Sequence, residues 1–408
     1  MRTLISLACR NIFRNRRRTL MTLLVVSGGV AALLVAGGFF FYIFWGFREV
    51  TIRNGVGHLQ IYDAQFFQRD ETRPLELGLE DYRDIERTAE ATPHVRGVAP
   101  RIEFFGLVSN GRKSGAYMAT ALLPAAEKKM GFAPNIVAGH DFGPDPAAHE
   151  ALVGAGLARS MNVQPGGGLT LLAVTADGAL NGIDVEVAGL IATGIKEFDD
   201  RILQLTLPSA QHLLQTERVT KLVVGLDNTD NTAAAKALLA ARLAGRGRPL
   251  AVRDWMELSP MYKQMTMMFG GILGFMALIV FFMVVMSSAN TLMMAMFERM
   301  REIGAMLAMG TPRRWVLSLF VLEGVITGAL GAGLGVLLGN GVAALLNHAG
   351  IEMPPPPGNV RGFPLHIQHV PELMIVVSFL VIATLAVASV MPAIRASRIK
   401  IVEALAHV

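Results

Sequence analysis

"FERMREIGAMLAMGTPRRW", residues 297–315, sets two acids and four arginines among apolar side chains. Residues 264–297 just before it contain no Asp, Glu, Lys or Arg, and residues 316–346 just after it contain only Glu323. About 20 helical residues cross a hydrocarbon core of about 30 Å, so each flanking run is long enough to span a bilayer. The charged stretch is then a turn between two membrane spans, at a membrane surface. Two more runs of this kind occur, at 19–47 and 373–394, both without a charged residue. The fold class that follows is a membrane protein of four transmembrane α-helices, with a large extracytoplasmic domain between the first and second.

Composition agrees. A hydrophobic fraction of 52% with only 17% charged residues is too apolar for an average soluble chain and too polar for one made only of spans. Lys and Arg beside spans stay on the cytoplasmic side. Arg2, Arg10, Arg14, Arg16, Arg17 and Arg18 precede the first span; Arg299, Arg301, Arg313 and Arg314 separate the second and third; Arg395, Arg398 and Lys400 follow the fourth. One orientation places all three clusters inside. The expected organisation is a cytoplasmic amino-terminal helix (1–18), span 1 with a stalk (19–47), an extracytoplasmic domain (48–263), span 2 with a stalk (264–297), a cytoplasmic charged helix and turn (298–314), span 3 (315–347), a short outer loop (348–372), span 4 (373–394) and a cytoplasmic tail (395–408). The first apolar run exceeds a signal-peptide core of about 7–15 residues and no A-x-A cleavage site follows it, so it reads as a retained anchor. The "RNRRR" cluster reads as a topology anchor in contact with anionic lipid, with no nucleic-acid partner. The sole cysteine, Cys9, falls on the cytoplasmic side, which leaves the large domain without a disulfide.

That domain reads as α+β, in one lobe or two. "HLQIYD", "VEVAGLIATG", "RILQLTL" and "KLVVGL" have strand character. "LEDYRDIERTAEAT", "PSAQHLLQTE" and "DNTAAAKALLAARLAG" have helical spacing or helix-start and helix-stop residues. Chemistry is scarce. "SNGRKSGAY" lacks the earlier glycine of a phosphate loop and reads as a hairpin turn; "VQPGGGLTLL" reads as a turn entering a strand. His58, His94, His140, His149 and His212 are spread without metal-ligand spacing and read as surface histidines; the pair His366 and His369 is the weak metal alternative. No catalytic, cofactor or metal residue is expected in this chain.

The charged stretch is therefore the most informative feature. Met296, Met300, Ile303, Gly304 and Leu307 recur at helical intervals as an apolar stripe, with Glu298, Arg299, Arg301 and Glu302 on the other faces. Gly310 is a helix stop, Thr311 an N-cap and Pro312 a first-turn residue of the next helix. Glu323 is costly in lipid, so it faces the protein interior or the cytoplasmic interface, where Arg313 or Arg314 is the expected partner. A bland connecting helix and a docking element for a cytoplasmic motor both fit.

"ERMREIGAMLAMGTPRRWVLSLFVLEG", the closing "VMPAIRASRIKIVEAL" and the opening "LISLACRNIFRNRRRTLMTLL" resemble the FtsX-like permeases of ABC transporters, the MacB-type group that includes the lipoprotein-release permeases LolC and LolE. The large domain resembles theirs more loosely, through "ALVGAGLARSMNVQPGGGLTLL" and "DWMELSP". MacB exporters carry a fused ATPase domain ahead of the first span, and no Walker sequence occurs here. The resemblance implies a separate cytoplasmic ATPase subunit that binds ATP and Mg, a dimer with a second copy or a sister permease, and a place in the bacterial inner membrane with the large domain in the periplasm. It makes residues 298–308 a coupling helix, with Glu298, Arg299, Met300, Arg301, Glu302, Ile303, Gly304 and Leu307 at the ATPase. "GHLQIYDAQFF" is closer to the LolC and LolE branch, which implies lipoprotein or other lipid-anchored cargo. Export of small hydrophobic or peptide substrates, and non-transporting control of a cell-wall hydrolase, remain open alternatives.

Overall fold

The computed structural model describes residues 2–14, 16–66, 75, 77–145, 148–245, 248–354 and 362–398. The tail beyond Arg398, with Lys400 and the end of the closing motif, and the proline run beyond Pro354 lie outside them. The chain divides into two compact units, one within Met1–Trp45, Gln264–Met353 and Pro364–Val408, the other within Gly46–Lys263 and Pro354–Phe363.

Helices α1 (Arg2–Arg14) and α2 (Arg16–Thr51) open the chain. There follow β1 (Leu59–Asp63), α3 (Tyr82–Glu90), β2 (Val95–Ser109), β3 (Ser114–Leu122), α4 (Pro124–Met130), β4 (Ile136–Gly139), β5 (Glu150–Gly154), α5 (Ala155–Met161), β6 (Gly168–Val174), β7 (Leu180–Ile191), α6 (Lys196–Asp199), β8 (Ile202–Thr206), α7 (Leu207–Leu214), β9 (Lys221–Leu226), α8 (Thr232–Leu243) and β10 (Leu250–Asp254). The chain then returns through α9 (Pro260–Glu298), α10 (Met300–Ala308), α11 (Arg313–His348), the short strands β11 (Glu352–Met353) and β12 (Phe363–Pro364), and α12 (Pro371–Ser397).

Four of these helices, α2, α9, α11 and α12, are long and apolar enough to cross a membrane. In the helical unit, Val26, Val30, Leu33 and Leu34 of α2 pack with Val280 and Val284 of α9 and with Val377, Val381 and Leu385 of α12. Helix α11 meets α2 through glycines one turn apart, Gly331, Gly335 and Gly339. A Cβ on Gly335 would lie 2.5 Å from the Cβ of Val30, so only glycine permits this backbone approach. Of the methionines on α9, Met267, Met268, Met283 and Met286 are exposed, whereas Met296 is buried.

The large unit rests on β2. Its first half joins a four-stranded antiparallel sheet in the order β10-β1-β9-β2, and Ile85 and Ala89 of α3 and Ala235 and Leu239 of α8 are buried in its core. Its second half enters a ring of six strands, β2-β3-β8-β5-β7-β6, closed by the β6–β2 pairing. Alternate residues of these strands point inward, as closure requires, and Val108, Tyr117, Val153, Leu171, Val185 and Leu203 fill the interior. "SNGRKSGAY" is the β2–β3 hairpin, with Ser109 opposite Ser114. "VQPGGGLTLL" enters β6.

His58 departs from the surface reading. It is 9% exposed, its Nδ1 accepts from Leu226 N–H at 3.1 Å, and its Nε2 lies 3.2 Å from Thr229 Oγ1. An accepting Nδ1 fixes the neutral ring with its proton on Nε2. Burial lowers its pKa below the ordinary 6.5. The unfolded chain therefore binds more protons as pH falls through 6.5, so this contribution to stability is complete above that value and is lost below it. The full chain should melt at a lower temperature at pH 5.5 than at 7.5, and His58→Asn, which keeps a nearby acceptor, should flatten that slope; an equal slope in the variant would assign the effect elsewhere.

Candidate functional site: the charged elbow between α9 and α11

The stripe that opens the sequence folds as an elbow. Helix α9 ends at Glu298, Arg299 leaves helical geometry at φ −110° and ψ 15°, and α10 then runs Met300–Ala308. Gly310, at φ 91°, stops α10 as its left-handed position requires. Its N–H donates to Leu307 O at 3.1 Å and that of Thr311 to Met306 O at 3.0 Å, the paired bonds of a Schellman closure. Thr311 is thus committed to the end of α10 and does not cap the next helix. The N-cap position of α11 is Pro312, with extended ψ of 141°, and the first helical residue is Arg313. Both assignments move by one residue from the sequence expectation, because Pro312 O accepts the opening backbone bond of α11, from Trp315 N–H at 2.8 Å, and so occupies the cap position itself.

The apolar stripe faces the chain itself. Ile303 is 2% exposed and packs with Met296, Val316, Phe320, Ala393 and Ala396; Gly304 is buried and Leu307 is partly buried against the same cluster. That cluster holds α9, α10, α11 and α12 together. The expected seating of Ile303 in an ATPase is therefore corrected: its surface is already covered. Met300 is half-buried, whereas Arg301, Glu302, Ala308, Met309, Pro312, Arg313 and Arg314 are exposed.

Arg299 likewise turns inward. Its Nη1 donates to Glu323 Oε1 at 3.0 Å and its Nη2 to Asn11 O at 3.0 Å, while Asn11 Nδ2 donates to the same Glu323 oxygen at 2.6 Å. Arg299 is 8% exposed and Glu323 4%. This three-way knot ties α1, the elbow and α11. The expected partners Arg313 and Arg314 do not reach Glu323: they lie ten and nine residues earlier on the same helix, about 15 and 14 Å along its axis. Around the knot sit two exposed pairs, Arg14 with Glu302 at 2.8 Å and Arg18 with Glu298 at 2.7 Å. Such pairs contribute about 0–1 kcal/mol each, so they set register more than stability. Beside them lies a cavity of about 130 Å³ whose lining includes Arg18, Thr22, Ser288 and Thr291. Asn11 is the site residue that sequence reasoning missed; an asparagine in a basic helix gives no spacing signal. His366, the weak metal alternative, sits with its ring 4.9 Å from that of Tyr42.

Residues 274–401 match the FtsX-like permease C-terminal family, which takes in the elbow, and residues 19–242 match the MacB-like periplasmic core domain, more than half of the chain. The chain belongs to the MacB/LolC family of ABC transporter permeases. This permease is 24% identical over 347 residues to the lipoprotein-releasing system transmembrane protein LolC of Xylella fastidiosa (strain Temecula1), covering 81% of this chain and 82% of that one. It is 23% identical over 267 residues to LolC of Neisseria meningitidis, covering 64% of each chain, and so spans less than two thirds of that relative. A shorter match, 41% identical over 64 residues, links 16% of the permease to 10% of the macrolide export ATP-binding/permease protein MacB of Brucella abortus.

Proposed function

We propose that the chain relays ATP-driven motion from a separate cytoplasmic ATPase to its large periplasmic domain, and so releases lipoproteins or similarly lipid-anchored cargo from the inner membrane. It acts as a pair, with a second copy or a sister permease. The observation that carries this reading is the length of the LolC alignment, which runs through four fifths of the chain, large domain and spans alike. Nucleotide and Mg belong to the ATPase, which meets the exposed edge of the elbow at Arg301, Glu302, Met309, Arg313 and Arg314. Because Arg299 and Glu323 bind that edge to α1 and α11 from within, a push on the elbow moves three helices at once.

The test is reconstitution of the purified chain in liposomes with a triacylated lipoprotein, with and without its ATPase. The expected result is release of the lipoprotein only with ATPase and ATP, and no ATP turnover by the chain alone. The match to the MacB-like core domain favours a second reading, export of small hydrophobic or peptide substrates. ATP-dependent movement of such a compound while the lipoprotein stays in the membrane would replace the first reading with the second.

A further inference from the structure

The carbonyls that follow α2 are not left to water. Beyond Thr51 the chain makes one π-helical turn, Ile52–Val56, closed by Gly57 at φ 69°, whose N–H donates to Ile52 O at 2.9 Å. The last two carbonyls of that turn are each taken by a buried side chain. Arg101 Nη1 donates to Gly55 O, and Gln60 Nε2 donates to Val56 O at 2.6 Å. Arg101, on β2, is 4% exposed, and its Nε and Nη2 donate to Glu127 Oε1 and Oε2 of α4, both at 2.7 Å. Gln60 is in turn held by the Tyr62 hydroxyl, with the ammonium of Lys221 5.7 Å from the Tyr62 ring centroid.

The geometry uses what only a guanidinium has. Two of its three nitrogens, along one edge, are filled by one carboxylate, which fixes the plane, and the remaining nitrogen is aimed at a helix-end carbonyl where the dipole is negative. Apolar packing surrounds the joint: Ile52 and Val56 lie with Ala99, Met130, Phe132 and Trp255. A buried ion pair is seldom more stable than apolar side chains of the same size, so stability alone gives little reason for one here.

We propose that Arg101, held by Glu127, is the positioning residue that fixes the end of α2 to β2 and α4, so that displacement of α2 is delivered to the large domain as one rigid motion. The delivery rests on the relay proposed above, whereas the clamp itself does not.

Two variants separate a clamp from a structural pair. Arg101→Met with Glu127→Met removes both charges and leaves no lone one; Arg101→Lys keeps the charge opposite Glu127 but lacks the third planar donor. Amide hydrogen exchange of the full chain in lipid nanodiscs is the measurement. In both variants residues 52–58 should exchange at least about tenfold faster, with melting temperature and protection of β3, β5 and β8 unchanged. Unchanged protection at 52–58 in the double variant, full rescue by lysine, or loss of protection throughout the domain would each overturn the clamp. The delivery has its own readout, the ATP-dependent change in thiol labelling of a cysteine at Ser109 with the ATPase bound. The double variant should lose that change while ATP turnover continues; if the change persists in a chain whose 52–58 segment is loosened, motion reaches the domain by another route.

Discussion

Arg299→Met should be among the most damaging single substitutions in the helical unit. It removes the only cation within salt-bridge distance of Glu323 among the described residues and leaves that carboxylate 4% exposed with one amide, Asn11, for company. Stranding a buried charge costs about 3–5 kcal/mol, while replacing both partners by apolar side chains is often neutral. Adding Glu323→Met to Arg299→Met should therefore restore most of the loss. Thermal unfolding of the four members of this cycle in detergent gives the coupling directly. Additive losses would mean that the two side chains do not depend on each other, and the knot would lose its place in the account.

Ile303→Asp should also unfold the elbow, and do so in the absence of any partner. Ile303 sits among Met296, Val316, Phe320 and two alanines of α12, so an aspartate there places a carboxylate in an apolar cluster whose side chains offer it no donor, at a cost of several kcal/mol. Six residues on, Met309 is 79% exposed, and Met309→Asp should change stability by no more than about 0.5 kcal/mol. Melting temperatures of the two purified variants without ATPase separate the cases. A stable Ile303→Asp chain would return that side chain to an outward face.

The spans, the charged turn between the second and third of them, and the family were legible because each depends on local composition: a run without charge, a glycine at a helix end, a short motif. Which neighbour covers a helix face is a tertiary fact. Helical spacing finds the stripe through Met296, Ile303 and Leu307, but an apolar stripe looks the same whether it is covered by α11 and α12 or by another protein. The partner of Glu323 was missed for the same reason, since the break at Arg299 is what swings that residue inward. In the large domain, β1, β7, β8 and β9 and helices α3, α7 and α8 were visible as patterns. Strand β2 was not: Gly97, Pro100 and Gly106 interrupt its alternation, and its two halves serve two different sheets. The closure of the ring by β2–β6, and the parallel β3–β8 and β5–β7 pairings within it, join segments far apart in sequence, which no local pattern encodes.

The most direct test of the relay is photo-crosslinking from the elbow in membranes that contain the ATPase. A crosslinking residue at Met309 or Arg313 should capture the ATPase, and one at Ile303 should react only within the chain. Capture of the ATPase from position 303, with none from 309 or 313, would contradict the account.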